Sequence, residues 1–157
     1  MKPFERLIDE HGPAILRFCA ARVGPERAED CFQETMLAAL RSYGEVRDER
    51  ALKAWLFTIA NRKAIDLHRA RARTPEPTDG LEVEPSRRSE FQPGTGDVWV
   101  LVADLPEKQA TAVHLRYRGG LSHREIGEVM SISEDAARRN VHEGLKRLRS
   151  ESAAWAD

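Results

Sequence analysis

The stretch LSHREIGEVMSISEDAARRNVHEGLKRLR, Leu121 to Arg149, decides the fold of this chain. Ser122-His123-Arg124-Glu125 has the form of a capping box, in which a serine hydroxyl and a glutamate three residues later satisfy each other's backbone N–H groups at a helix start. The spacing predicts a short helix from Ser122 through Ile126, Gly127 and Val129 to Met130. Ser133 then caps a second helix, Glu134 to about Arg149. Its Ala137, Val141, Leu145 and Leu148 share an inward face, and Arg138, Arg139, Asn140, His142 and Lys146 point largely outward. A short helix, a tight turn and a longer basic helix form a helix-turn-helix. Such turns often hold Gly where this chain has Ser131, so strain or a different turn shape is expected there.

The same periodicity extends outward in both directions. Val98 to Leu105 reads as a short apolar helix. Pro106 suits the first position of the next helix, which carries Ala110, Val113, Leu115 and Tyr117 and ends at Gly119-Gly120. Upstream, Phe4, Leu7, Ile8, Ile15, Phe18 and Cys19 recur at helical spacing as far as Val23, and Gly24-Pro25 ends that segment. A second helix, about Glu26 to Tyr43, has Ala28, Cys31, Phe32, Thr35, Met36, Ala39, Leu40 and Tyr43 as its stripe, with acids near its N-terminus. Asp48 can cap a third, running to about Arg71 with Leu52, Trp55, Leu56, Ile59, Ala60 and Leu67 on one face. Lys63 falls on that face. Either this helix bends near Asn61, or its C-terminal half leaves the core and faces a partner. With no period-two alternation anywhere, the expected fold class is all-α.

Charge separates these helices into functional blocks. The 157 residues carry a net charge of −1, which taken whole argues against a nucleic-acid binder. By position the nets are −2 for residues 1–50, +5 for 51–73, −4 for 74–97 and 0 for 98–157, with +4 concentrated in 136–150. The segment 74–97 has four Pro and three Gly among 24 residues and reads as a linker. The expected organisation is therefore two small helical domains, 1–73 and 98–157, joined by a flexible linker. No run of 18 apolar residues occurs, and Met1 to Glu5 lacks the apolar segment of a signal peptide, so a cytoplasmic protein without membrane insertion is expected.

The second predicted helix of the helix-turn-helix would be about 24 Å long, enough to lie in a major groove, where Arg138, Arg139 and Asn140 are residue types that read base edges. A solvated basic face is the plainer alternative. In the third helix, Trp55 and Phe57 alternate with Lys53, Asn61, Arg62, Lys63, Arg69, Arg71 and Arg73, a mixture suited to stacking and phosphate contact with single-stranded nucleic acid. Trp55 shares the face of Leu52 and Ile59, which favours core packing. Phe57 and Asn61 lie opposite and are expected to be exposed. The five histidines are scattered, no catalytic motif or Gly-rich phosphate loop appears, and no catalytic residue, metal or cofactor is assigned. Cys19 and Cys31 both fall on apolar stripes and are expected as buried thiols that helix packing could bring near one another.

These residues resemble the extracytoplasmic-function sigma factors of bacterial RNA polymerase. Phe4 to Arg73, with AEDCFQET (Ala28 to Thr35) and LKAWLFTIANRKAID (Leu52 to Asp66), is similar to the family's region 2, and Leu105 to Arg149 to its region 4. The resemblance implies a non-catalytic subunit that directs promoter-specific initiation by core RNA polymerase. Asp30, Gln33 and Glu34 match positions that dock on the clamp helices of the β′ subunit, and region 4 is expected at the β flap. The third helix, through Lys53, Trp55, Phe57, Asn61, Arg62, Lys63, Arg69 and Arg71, would capture the melted minus-ten strand of promoter DNA. Ser133, Asp135, Arg138, Arg139, Asn140, His142 and Lys146 would meet the minus-thirty-five duplex. Asp135 stands where a small residue is common; it could accept from a cytosine amine or cap the helix. The family commonly has Arg-Asn where this chain has Asn61-Arg62. An anti-sigma factor is a further partner compatible with the resemblance. A stand-alone helix-turn-helix regulator, or a small hydrolase built on Asp30 and Glu34, are the competing readings.

The linker sets a geometric condition. As an ideal coil its 24 residues span about 27 Å and fully extended they reach roughly 80 Å, whereas one and a half turns of DNA measure about 50 Å.

Overall fold

The computed structural model describes residues 2–73 and 98–156, the last three of the first span and the last five of the second by backbone alone. It holds seven α-helices and no strand among the described residues: α1 (Phe4–Val23), α2 (Ala28–Ser42), α3 (Leu52–Arg73), α4 (Val98–Ala103), α5 (Glu107–Tyr117), α6 (His123–Met130) and α7 (Glu134–Ala156). Short 3-10 turns at Tyr43–Glu45 and Glu49–Ala51 bridge α2 and α3. The expected linker, 74–97, lies outside the described residues.

Helices α1, α2 and α3 pack mutually around Leu7, Ile15, Phe18, Cys19, Cys31, Met36, Ala39, Leu52, Leu56 and Ala60. Helix α2 starts and stops slightly inside its expected bounds, because Tyr43 is drawn into the 3-10 turn. Leu40, placed on the apolar stripe by periodicity, is instead 56% exposed. Packing against both α1 and α3 takes up Cys31, Thr35, Met36 and Ala39, and the stripe is too narrow to include it. Asp48 caps the approach to α3 by accepting from the Arg50 N–H at 3.0 Å. Helix α3 runs unbroken through Asn61. Neither alternative for Lys63 is met: the helix does not bend, and beside half-buried Lys63 it stays on the core through buried Ala64 and partly buried Leu67, with His68, Arg69 and Ala70 exposed beyond.

In the C-terminal half, α5, α6 and α7 form a trihelical unit with α4 laid across α5 and α7. The capping box is complete: Ser122 Oγ accepts from the Glu125 N–H at 3.1 Å, and Glu125 Oε1 accepts from the Ser122 N–H at 2.9 Å. Helix α6 ends at Ser131, which adopts φ 58° and ψ 44°, so of the two expectations the turn keeps its usual left-handed shape with a serine in the place of glycine. Helix α7 begins at the expected Ser133 cap, whose Oγ accepts from the Ala136 N–H at 3.0 Å, and runs past Arg149 to Ala156.

The two halves touch. Helix α3 packs on α6, and Leu115, Leu121, Ile126 and Val129 join the same apolar cluster as Phe57 and Ala60. A smaller cluster of Leu101, Val102, Leu105, Val113 and Leu148 fills the space under α4. Beside the α3–α6 contact, a cleft of about 800 Å³ opens between α1 and α3 on one side and α4 and α5 on the other.

Candidate nucleic-acid interface

The outward face of α7 is built as the sequence suggests. Arg138, Arg139, His142 and Lys146 are exposed, on a helix whose Ala137, Val141 and Leu148 are buried. Two of the expected base readers are held within the helix itself. The Arg138 guanidinium reaches Glu134 Oε2 at 3.2 Å and Asp135 Oδ1 at 3.4 Å, and Asn140, half-buried, donates to the Ala136 carbonyl at 3.1 Å. Capping of α7 falls to Ser133, so Asp135, its side chain 87% exposed, is left to orient Arg138. Exposed pairs of this kind contribute little, about 0–1 kcal/mol, and yield readily to a phosphate or a base edge.

Asp30, Gln33 and Glu34 stand together on the exposed side of α2, as i, i+3, i+4 spacing requires. Leu37 and Leu40 continue that face, 49% and 56% exposed. The acidic and amide groups therefore border an apolar strip, a surface suited to a protein partner with basic and apolar side chains.

Helix α3 departs most from expectation. Phe57 is 1% exposed and Asn61 7%, so both are buried rather than exposed contacts. The reason is the approach of the C-terminal half. The Phe57 ring meets Phe18 edge-on at 5.4 Å and lies against Gly119, where an added Cβ would come within 3.2 Å of it. Asn61 Nδ2 donates to the Val129 carbonyl at 3.4 Å, and its Oδ1 accepts from Arg22 Nε at 3.1 Å. Lys53 Nζ reaches the Gly120 carbonyl at 3.4 Å. Trp55 is half-buried and packs toward Tyr43, with ring centroids 6.4 Å apart. Arg62 and Arg69 are exposed, and the Arg71 side chain lies outside the described residues.

Sequence reading missed Arg22 and Glu107. Arg22, in the last turn of α1, reads as an ordinary partner of the helix dipole. Its side chain is nevertheless only 9% exposed, and the guanidinium pairs with Glu107 Oε1 at 2.7 Å, across 85 residues of sequence. That hydrogen bond holds the Glu107 carboxyl below the usual carboxylate range. The Arg22 carbonyl also meets His68 Nε2 at 2.7 Å. No local pattern announces such a pair.

Cys19 and Cys31 are both fully buried and in contact. The hydrogen bond between the thiols, with burial behind it, pushes Cys19 up, and the same bond lowers Cys31. His114, 7% exposed beneath Trp99, is pushed down to about 4 by burial and by Arg118 and Arg17. Among the described residues no group of three or more His, Cys, Asp and Glu could hold a metal ion, and no helix is long and apolar enough to cross a membrane.

Comparison with known proteins agrees with this architecture. Residues 7–74 match the family model of sigma-70 region 2, and residues 96–148 that of sigma-70 region 4. The chain is 32% identical over 155 residues to the ECF RNA polymerase sigma factor ShbA of Streptomyces griseus, covering 88% of this chain and 81% of that one. It is also 32% identical over 158 residues to the ECF RNA polymerase sigma factor SigD of Mycobacterium tuberculosis, covering 92% and 74%. Among solved structures, the sigma factor RpoE of Bartonella quintana, crystallised in complex with the anti-sigma factor NepR, shares the fold with a TM-score of 0.78 at 22% identity, covering 96% of each chain. With both sigma-70 regions present in order and such relatives matched along most of their length, this chain belongs to the ECF sigma factors of bacterial RNA polymerase.

Proposed function

We propose that the chain docks on core RNA polymerase through Asp30, Gln33 and Glu34 of α2, captures the melted minus-ten strand on α3, and reads the minus-thirty-five duplex with α7. In this reading residues 1–73 and 98–157 are the two working domains. Trp55, Arg62, Lys63, Arg69 and Arg71 of α3, joined by Lys53, Phe57 and Asn61 once uncovered, supply stacking and phosphate contacts to unpaired bases. Arg138 and Arg139 reach base edges, His142 and Lys146 meet phosphates, and Ser133 and Asp135 shape the helix start. The protein has no catalytic site of its own: it selects the start site by binding, the polymerase supplies the chemistry, and the work is done in the cytoplasm, where the polymerase is. An anti-sigma factor is a natural further partner, since the structurally similar sigma factor RpoE was co-crystallised with the anti-sigma factor NepR.

The observation that carries this reading is a pairing. An exposed acidic helix face on the N-terminal bundle and an exposed basic recognition helix on the C-terminal one follow each other in the order of the two sigma-70 regions. Run-off transcription from a library of genomic fragments, with core polymerase and this chain, tests it. Transcripts with common sequences about ten and thirty-five bases upstream are expected, together with co-purification of core polymerase that an Asp30→Asn/Glu34→Gln variant weakens. Duplex binding without core association would instead indicate a stand-alone regulator.

A further inference from the structure

The cleft of about 800 Å³ is left open by small side chains: Ala20 and Ala21 of α1 line it from one half, Ala103 of α4 and Ala110 of α5 from the other. Its apolar lining comes from Phe18, Ile65, Val102 and Leu105. Its charge is one-sided. Arg17, Arg22, Arg69 and Arg118 all line it, against the single carboxylate of Glu107, which Arg22 already engages at 2.7 Å. Arg17 and Arg69 are exposed and enter no ion pair among the described residues. Arg118 is seated over the Trp99 ring, 3.9 Å from its centroid.

His114 marks the same wall independently. Its ring lines the cleft and is only 7% exposed, and Nδ1 is buried with no hydrogen-bond partner among the described residues. Folded chains keep few buried polar atoms unpaired, so one on a cavity wall points to a partner that the chain does not itself supply. Burial first, then the positive charges of Arg118 and Arg17, hold the ring neutral. Two guanidinium groups, one from each half, therefore act on the same part of the wall.

We propose that the cleft is a binding site for a small amphipathic anion, a carboxylate or phosphate head on an apolar body. Arg17, Arg69 and Arg118 hold the head, Phe18, Val102 and Leu105 cover the body, and the neutral His114 ring supplies one hydrogen bond. Guanidinium groups match either head with paired N–H donors. Apolar walls around one sign of charge focus the field on an entering anion. The volume falls in the range of small-molecule sites, which combine apolar walls with a few converging polar groups. The site uses neither the acidic face of α2 nor α7, and shares only Arg69 with the strand contacts proposed above. It therefore stands or falls separately from that reading.

Fluorescence titration of the full chain with anilinonaphthalene sulfonate, an anion on an apolar body, tests the site. Arg17→Gln/Arg69→Gln should weaken binding by about fivefold or more, whereas Arg41→Gln/Arg47→Gln, which removes as many exposed charges outside the cleft, should change it by less than about twofold. Ala110→Leu, which narrows the cleft without altering charge, should weaken it as well. Octanoate and octyl phosphate should displace the probe at concentrations at least about tenfold below those of octanol, which lacks the charge, or inorganic phosphate, which lacks the body. Whichever of the two octyl anions displaces better identifies the head, carboxylate or phosphate. On adding that anion the His114 imidazole resonances should move, and those of His11, on the N-terminal part of α1, should not. Displacement by octanol as effective as by the anions would reduce the cleft to an apolar patch and overturn the inference. Equal losses in the two double arginine variants would do the same, by assigning binding to general surface charge, as would an unmoved His114.

Discussion

Gly127→Ala tests whether the helix-turn-helix is held at backbone contact. A Cβ at Gly127 would lie 2.7 Å from the Ile132 carbonyl oxygen and 3.3 Å from Ser133 C and O. Ordinary C···O contacts begin near 3.3 Å, so the turn would have to retreat by about 0.6 Å. It cannot do so freely, because the N–H groups of Ser131 and Ile132 both donate to the Gly127 carbonyl, the second at 2.9 Å. Overpacking of this kind costs about 2–3 kcal/mol when backbone must move. Alanine's helix preference returns about 1 kcal/mol, so the net destabilisation should be roughly 1–2 kcal/mol. Gly12→Ala is the internal control. There a Cβ would meet Ile8 Cγ2 at 3.5 Å and Phe32 Cζ at 3.7 Å, ordinary contacts, and the same exchange should stabilise by up to about 1 kcal/mol. Urea unfolding followed by circular dichroism separates the two. Duplex binding should fall for Gly127→Ala only, since the turn aims α7. A Gly127→Ala variant as stable as the parent would refute the close-contact account of the turn.

Four other expectations are independent of it. Ser131→Gly relieves a left-handed serine and should raise stability by up to about 1 kcal/mol in the same titration; a lower urea midpoint would show the serine is not strained. Cys19 and Cys31, fully buried, should resist a thiol reagent such as dithionitrobenzoate in the native protein and both react after unfolding; rapid native labelling would contradict their burial. His114, with its pKa pushed down to about 4, stays neutral in the fold while the unfolded chain takes up a proton below about 6.5. Stability should then fall as pH drops from 6.5 towards 4, by up to roughly 3 kcal/mol in all. His114→Phe should flatten that slope, and an undiminished slope would assign it to other groups. Finally, Arg139→Ala should weaken duplex binding and make the affinity less steeply dependent on salt, by about one unit of log–log slope; an unchanged slope would remove Arg139 from the phosphate or base contacts.

Local signals proved legible wherever the interaction partners are near in sequence. Capping at Ser122 and Ser133 joins groups three residues apart, so it could be read from S-x-x-E and from a serine before an apolar run. The outward basic face of α7 follows from Ala137, Val141 and Leu148 turning inward. Leu40 shows where this reasoning weakens. Periodicity places it on the stripe, but only the number and angle of neighbouring helices decide how wide a stripe is covered.

Sequence by itself thus determined the seven helices' approximate places, the serine caps at Ser122 and Ser133 and the alternation of acidic and basic blocks, because each depends on residues within a few positions of one another. Tertiary structure alone decided the fate of Phe57 and Asn61. Helical period puts both on the face of α3 opposite Leu52 and Ile59, and an amphipathic reading sends that face to solvent. In the folded chain it meets Gly119 and Val129, residues more than 60 positions away. The Arg22–Glu107 pair is of the same kind, two charges brought within 2.7 Å only by the packing of one half on the other.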